Sequence, residues 1–210
     1  MFGAGGGGAE VFRRDRPRRR VVVSLGDAVA RYVLVCCSQR FSRRTSGIAA
    51  PWSRRSPAGC PAFCSGVGFG GFVNGIVLHE ILQWHHMISG AESSETLAGL
   101  ELNVVADGFF HVVTWLLVMA GSIMTLVSWR RGRLAPTWSF HFGLLVAGWG
   151  FFNVVEGLID HQLLGVHHVR DDLGAPLSWD IGFLVFGIIL SGAGWVLYRR
   201  GSRKLAASAR

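Results

Sequence analysis

Four long apolar stretches dominate the chain, at about 66–89, 100–128, 138–165 and 180–198. A helix that crosses a bilayer needs about 20 mostly apolar residues, and each stretch is close to that length or longer. Polar residues interrupt the stretches at helical spacing. On the first, His79, Gln83 and His86 fall within about 60° of one another, while His85 and Glu80 point elsewhere. On the second, Asn103, Asp107 and His111 recur every fourth residue and form one stripe. The third carries Asn153, Glu156, Asp160 and His161, with His167 and His168 where that helix should end. The fourth contributes only Asp180, at its outer end. The pattern predicts an all-α protein, an integral membrane four-helix bundle.

Threading these spans up and down a bilayer places His79, Glu80, His85, His86, Asp107, His111, Glu156, Asp160 and His161 in one half of it. Each ionisable group at membrane depth costs roughly 2.5–3.5 kcal/mol on insertion scales and marks a functional site by default. With a rise of about 1.5 Å per residue, His79, His111 and Glu156 each lie on the order of 15 Å below the outer ends of their helices. Asp107 and Asp160 sit higher, and Asn103, His86, His167 and His168 lie near the mouth. The candidate metal ligands are therefore His79, His86, Asp107, His111, Glu156, Asp160, His161 and His167. His141 falls near the opposite end of the third span, rotated away from Asp160, and is expected to be structural.

Imidazole with carboxylate and no thiolate suits a transition metal ion: zinc, iron, manganese or copper(II). Glu or Asp plus His from facing helices is an established way to build a metal site in a bundle core. The same inventory would serve a membrane-embedded zinc hydrolase in which a metal-bound water attacks a lipid-like substrate. It would also serve haem ligation or a proton relay. His79-Glu80 is followed by Ile81, Leu82 and Gln83, so the H-E-x-x-H protease motif is absent, as are a P-loop, a dinucleotide fingerprint and a nucleophile elbow.

Composition agrees with the span pattern. The 210 residues are 50% hydrophobic and 16% charged, with a mean hydropathy of +0.37. The net charge of +8 would suggest nucleic acid in a soluble domain. Here the basic residues crowd the ends and one loop: Arg13–Arg20, Arg40–Arg55, Arg130–Arg133 and Arg199–Arg210. That distribution fits cytoplasmic loops, so membrane lipid is the expected partner and nucleic acid is not. A second copy of the chain is an open alternative, and the glycine-rich face Gly66, Gly68, Gly70, Gly71 and Gly75 predicts close packing against another helix. Residues 1–60 have the composition of a disordered basic leader, 61–200 form the four-span domain, and 201–210 a basic cytoplasmic tail. Val21 to Cys37 is apolar but short and broken by Asp27 and Arg31, which argues against a fifth span. Cys36, Cys37, Cys60 and Cys64 precede the first span without C-x-x-C spacing, which gives a zinc ribbon or redox pair little support.

Three strings carry a resemblance: Gly71-Phe-Val-Asn-Gly-Ile-Val-Leu-His-Glu-Ile-Leu-Gln-Trp-His-His-Met87, Asp107-Gly-Phe-Phe-His111, and Asn153 through His161 to Arg170. They resemble an uncharacterised bacterial membrane-protein family, domain of unknown function 2243, over about residues 63–200. The resemblance implies a four-span membrane protein and no particular chemistry. The chain departs from the family's pattern at Asn74, where an acidic residue is common, and at Gln162, where a second histidine is common.

The loop 90–99 has two glutamates and no Lys or Arg, and 166–179 has one arginine beside two aspartates. Both termini and the 130–133 loop should therefore face the cytoplasm, in a multi-pass protein of a bacterial cytoplasmic membrane. In a chain whose native cysteines are replaced by serine, Ser94→Cys should label with an impermeant thiol reagent in intact cells and Gly132→Cys should not. The reverse pattern would overturn this orientation.

Overall fold

The computed structural model describes residues 59–135 and 137–208, and all regular structure among them is helical. Helix α1 (Cys60–Asn74) begins at a proline, Pro61, whose missing N–H costs nothing in a first turn. It continues as a π-helical segment, Gly75–Ile81. Helix α2 (Leu97–Arg130) starts at Thr96, whose hydroxyl accepts a hydrogen bond from the Gly99 N–H. Helix α3 (Trp138–Glu156) likewise runs into a π-helical segment, Gly157–Leu164. After a short 3₁₀ turn, Asp171–Leu173, helix α4 spans Leu177–Ser208. All four are long and apolar enough to cross a membrane.

The four-helix expectation holds, with three corrections at the ends. The first span stops at Ile81 rather than near 89. Gln83 adopts a left-handed backbone (φ 50°), which no helix can continue through, and the Trp84 N–H closes the end by donating to the Leu78 carbonyl at 2.9 Å. Cys60 and Cys64 lie inside α1 instead of before it, and the Cys64 thiol approaches the Leu117 carbonyl at 3.7 Å. Helix α4 runs on through Arg199–Lys204, so most of the basic tail is helical. The leader through residue 58, including Val21–Cys37, and Pro136 lie outside the described residues.

Helix α1 packs between α2 and α3, and α4 packs on the far side of α3. The apolar windows of α1 and α3 are 56% and 33% buried, against 11% for α2 and α4, which turn most of their surface outward. The interior is correspondingly polar. Asn74, His79, His85, Asn103, Asp107, Asn153, Glu156, His161, His167 and Asp180 are all buried, whereas Phe109, Ile123, Ile188 and Trp195 are exposed. In lipid this inversion is the stable arrangement, because apolar side chains lose nothing by facing hydrocarbon.

Without a hydrophobic drive between helices, close backbone approach must supply the packing. A Cβ at Gly66 would strike the Leu145 backbone, and one at Gly148 would strike the Phe63 carbonyl. A Cβ at Gly68 would lie 2.8 Å from the Thr114 carbonyl, and one at Gly150 2.6 Å from the Gly187 carbonyl. The small-residue face of span 1 is thus used within the chain. Gly66 and Gly148, like Gly68 and Gly150, stand 82 positions apart, which reveals an internal repeat that hydropathy does not show. α1 with α2 and α3 with α4 are two copies of one helix pair. Gln83 corresponds to Gly165, which is also left-handed (φ 57°).

Gly150→Leu should lower thermal stability in detergent by an amount equivalent to about 1–3 kcal/mol, since the side chain would meet the α4 backbone at Gly187 and Ser191 together with the Ser191 hydroxyl. Gly192→Leu, on the same α4 but with nothing within 4 Å of its Cβ, should melt like the wild type.

Candidate metal centre

Each half of the repeat brings two histidines to the same place. The π segments carry His79 and His161, and the chain returning after each left-handed residue carries His85 and His167. A π turn accommodates an extra residue and is frequent at functional sites. The His85 and His167 rings stack with centroids 4.7 Å apart and 6° between planes. His79 packs edge-on to His85 at 4.6 Å, and His161 to His167 at 4.9 Å. All four are buried, and Glu156 lies beneath them with its Oε1 3.1 Å from His167 Nε2 and 3.3 Å from His161 Nε2. Ligand atoms of His79, His85 and His167 lie within 4.8 Å of one another, as do those of Glu156, His161 and His167.

The outer nitrogens of three of these rings are already committed. His79 Nδ1 lies 2.7 Å from Asp107 Oδ1, His85 Nδ1–H donates to the Val169 carbonyl at 3.0 Å, and His167 Nδ1–H donates to the Met87 carbonyl at 3.1 Å. The last two contacts are exchanged between the halves, each histidine being held by the other half's backbone. His79 Nε2, His85 Nε2 and Glu156 Oε2 are left buried without a hydrogen-bond partner, and the His161 ring nitrogens make no hydrogen bond, only ion-pair approaches to Glu156 and Asp180 at 3.3 and 3.6 Å. A buried polar atom without a partner costs about 1–3 kcal/mol, so a group of them facing one another asks for a ligand.

The carboxylates also follow the repeat. Asp107 accepts from the Met87 N–H at 2.8 Å and faces His86 Nδ1 at 2.7 Å. Asp180 accepts from the Val169 N–H at 2.9 Å and faces His168 Nδ1 at 2.7 Å. Burial, with His167 and His79 as like-charged neighbours, pushes the His85 imidazole down to about 2 and keeps it neutral. Burial also disfavours a charged His167, but its hydrogen bond to Glu156 outweighs this and the pKa rises.

Of the eight sequence candidates, the structure brings His79, Glu156, His161 and His167 together. His86 and Asp107 lie one layer out, orienting the inner rings. His111 sits apart: its Nδ1 bonds the Asp107 carbonyl of its own helix at 2.7 Å, and its ring lies against Phe72. Asp160 places no carboxylate oxygen in either ligand group. His85, expected to point away, is central, because the chain is no longer helical there. Asp180 was placed only at a span end, yet it ties down the second return segment. His141 Nε2 meets the Ala135 carbonyl at 2.8 Å and belongs to neither ligand group.

Residues 61–201 match the family described as "Predicted membrane protein (DUF2243)". The chain belongs to that family. Comparison with curated proteins and with solved structures finds no match. In this chain's own repeat, Asn74 occupies the position equivalent to Glu156, 82 residues on, so the carboxylate of that pair comes from the second half.

The two return-segment histidines respond oppositely to pH. His85, its pKa lowered from 6.5, stabilises the fold fully above pH 6.5, and that contribution is lost as pH falls toward 2. His167, its pKa raised, contributes below 6.5 and loses the contribution as pH rises through its folded pKa. The melting temperature of metal-free protein should therefore fall more steeply between pH 7 and 4 than that of His85→Gln. Parallel curves would show that His85 is not held neutral.

Proposed function

We propose that this membrane protein binds a transition metal ion at the junction of its two helix pairs, through His79, His85, His161, His167 and Glu156, near the outer face of a bacterial cytoplasmic membrane. The observation that carries this reading is the one-sided commitment of the rings. Nδ1 of His79, His85 and His167 is fixed by a carboxylate or a carbonyl, which sets the tautomer and turns Nε2 inward, as outer partners do around metal-bound histidines. Histidine and carboxylate donors without sulfur favour zinc, iron, manganese or copper(II). Ring centroids under 5 Å apart favour an ion over haem, since no macrocycle fits between such neighbours.

His167 engages acceptors on both nitrogens, Met87 and Glu156, which suits its protonated form. Metal binding would displace that proton, so affinity should fall as pH falls below neutrality.

Protein expressed with zinc, iron, copper and manganese supplied, and purified in mild detergent, should carry metal by elemental analysis. His85→Ala and His167→Ala should abolish it, while His111→Ala and His141→Ala should retain it. Metal-free wild type, or full occupancy in His85→Ala, would defeat the proposal. A relay is the second reading, favoured by the two chains His86–Asp107–His79 and His168–Asp180–His161, with contacts of 2.7, 2.7, 2.7 and 3.6 Å. Proton flux in metal-free proteoliposomes, lost in Asp107→Asn, would select it.

A further inference from the structure

Helices α1 and α4 both pack on α3 and not on each other, and α2 and α3 both pack on α1 and not on each other. The bundle therefore has two flanks, one between α1 and α4 and one between α2 and α3. The repeat relates them, at an offset of 82 residues between α1 and α3 and of 73 between α2 and α4. Asp107 and Asp180 mark the second offset, as do Phe110 and Phe183, which stand beside the equivalent glycines Gly75 and Gly157.

The flanks differ where they come nearest the histidines. Between α1 and α4, Trp84 and Trp179 pack edge-on at 5.4 Å, and the Arg170 guanidinium lies over both rings at 4.5 and 5.1 Å. Both tryptophans line an apolar cleft on that flank, together with Leu78. On the other flank the counterparts of Trp84, Trp179 and Arg170 are Val166, Ala106 and Ile88, which cannot form such a stack. The counterpart of Leu78 is Asp160.

Among the described carboxylates around the centre, Asp160 alone is neither paired nor sealed. Asp107 and Asp180 are buried and engage histidines and backbone N–H groups, and Glu156 is buried against His161 and His167. Asp160 is only part-buried, its side chain makes no hydrogen bond or ion pair among the described residues, and both its oxygens keep accessible surface. It nonetheless lies within electrostatic reach of Glu156, His161 and His167. An unpaired ionisable group at membrane depth is costly, and such groups mark ion pathways.

We propose that cations reach the histidines along the flank between α2 and α3, and that Asp160 receives them there. The inference rests on the metal reading and adds a route to it. A hydrated ion sheds its water in steps, and each step needs a polar atom to replace the water lost. Asp160 supplies a charged oxygen on the open side, and Glu156, four residues earlier on the same helix, supplies the next. On the opposite flank the equivalent position is the apolar Leu78, behind the stack of Trp84, Arg170 and Trp179.

The test follows zinc uptake by the full chain in detergent, after a chelator has removed bound metal. A fluorescent indicator reads free zinc in a stopped-flow cell, and elemental analysis reads the final occupancy. Asp160→Asn should load and release zinc at least about tenfold more slowly, the lower end of what charged clefts contribute to ion encounter, and reach the wild-type occupancy. It should melt no lower than the wild type, since the carboxylate it loses is unpaired. Asp160→Glu should load at close to the wild-type rate. Glu80→Gln removes an exposed carboxylate from the first π segment and should also load normally, as should Trp179→Ala, which breaks the aromatic stack. Unaltered kinetics in Asp160→Asn would overturn this route and leave the metal reading standing. Faster loading in Trp179→Ala would place entry between α1 and α4, and lost occupancy in Asp160→Asn would make Asp160 a ligand; either result overturns the proposal. A wild type that takes up no zinc would defeat the metal reading together with it.

Discussion

Two buried carboxylates organise one end of this bundle. Asp107 and Asp180 each accept a backbone N–H from a returning segment, at Met87 and Val169, and each face the Nδ1 of the preceding histidine. In water such contacts would compete with solvent and contribute little. Both carboxylates are buried here, so solvent hardly competes, and a chain that leaves its helix out of reach of water must find partners for its backbone groups inside the protein. These two side chains provide them. The irregular stretches 82–96 and 165–176 can therefore lie against the helix ends, and the histidines within them can reach the interior.

Glycine complements the carboxylates at the other end of the scale. Where α1 meets α2 and α3, and α3 meets α4, the backbones come close enough that a methyl group would collide. That proximity brings the two π segments together and narrows the space between the four imidazoles. The carboxylates settle where the return segments lie, and the glycines settle how near the two halves can approach. The site's dimensions follow from both.

The helix count and the one-sided placement of the polar residues were legible in the sequence, because apolar length and four-residue spacing are local properties. His79, Glu156, His161 and His167, read as one set on that basis, are brought together in the structure. His85 was not in that set, because its exclusion assumed a helix at 100° per residue through a segment that has become a π turn and then a left-handed residue. Gln83 gave little warning, since glycine or asparagine is the usual signal for that conformation and only its counterpart, Gly165, carries it. His111 was included for matching depth, a property that ignores which way the ring turns. The His-x₅-His-His spacing is shared by His79–His86 and His161–His168, so the repeat is carried by the histidines and glycines and not by hydropathy.

The exchange of His85 and His167 across the halves bears on biogenesis. Each ring is oriented by a carbonyl that belongs to the other helix pair, Val169 for one and Met87 for the other. Neither pair can fix the tautomer of its own return-segment histidine. As the chain emerges from the ribosome, α1 and α2 can insert and pack, with His79 and His86 already held by Asp107, but His85 remains without its orienting carbonyl until residue 169 has been made and α3 has docked. The centre is thus the last part of the molecule to acquire its form, and it exists only in a chain whose second half has folded against the first.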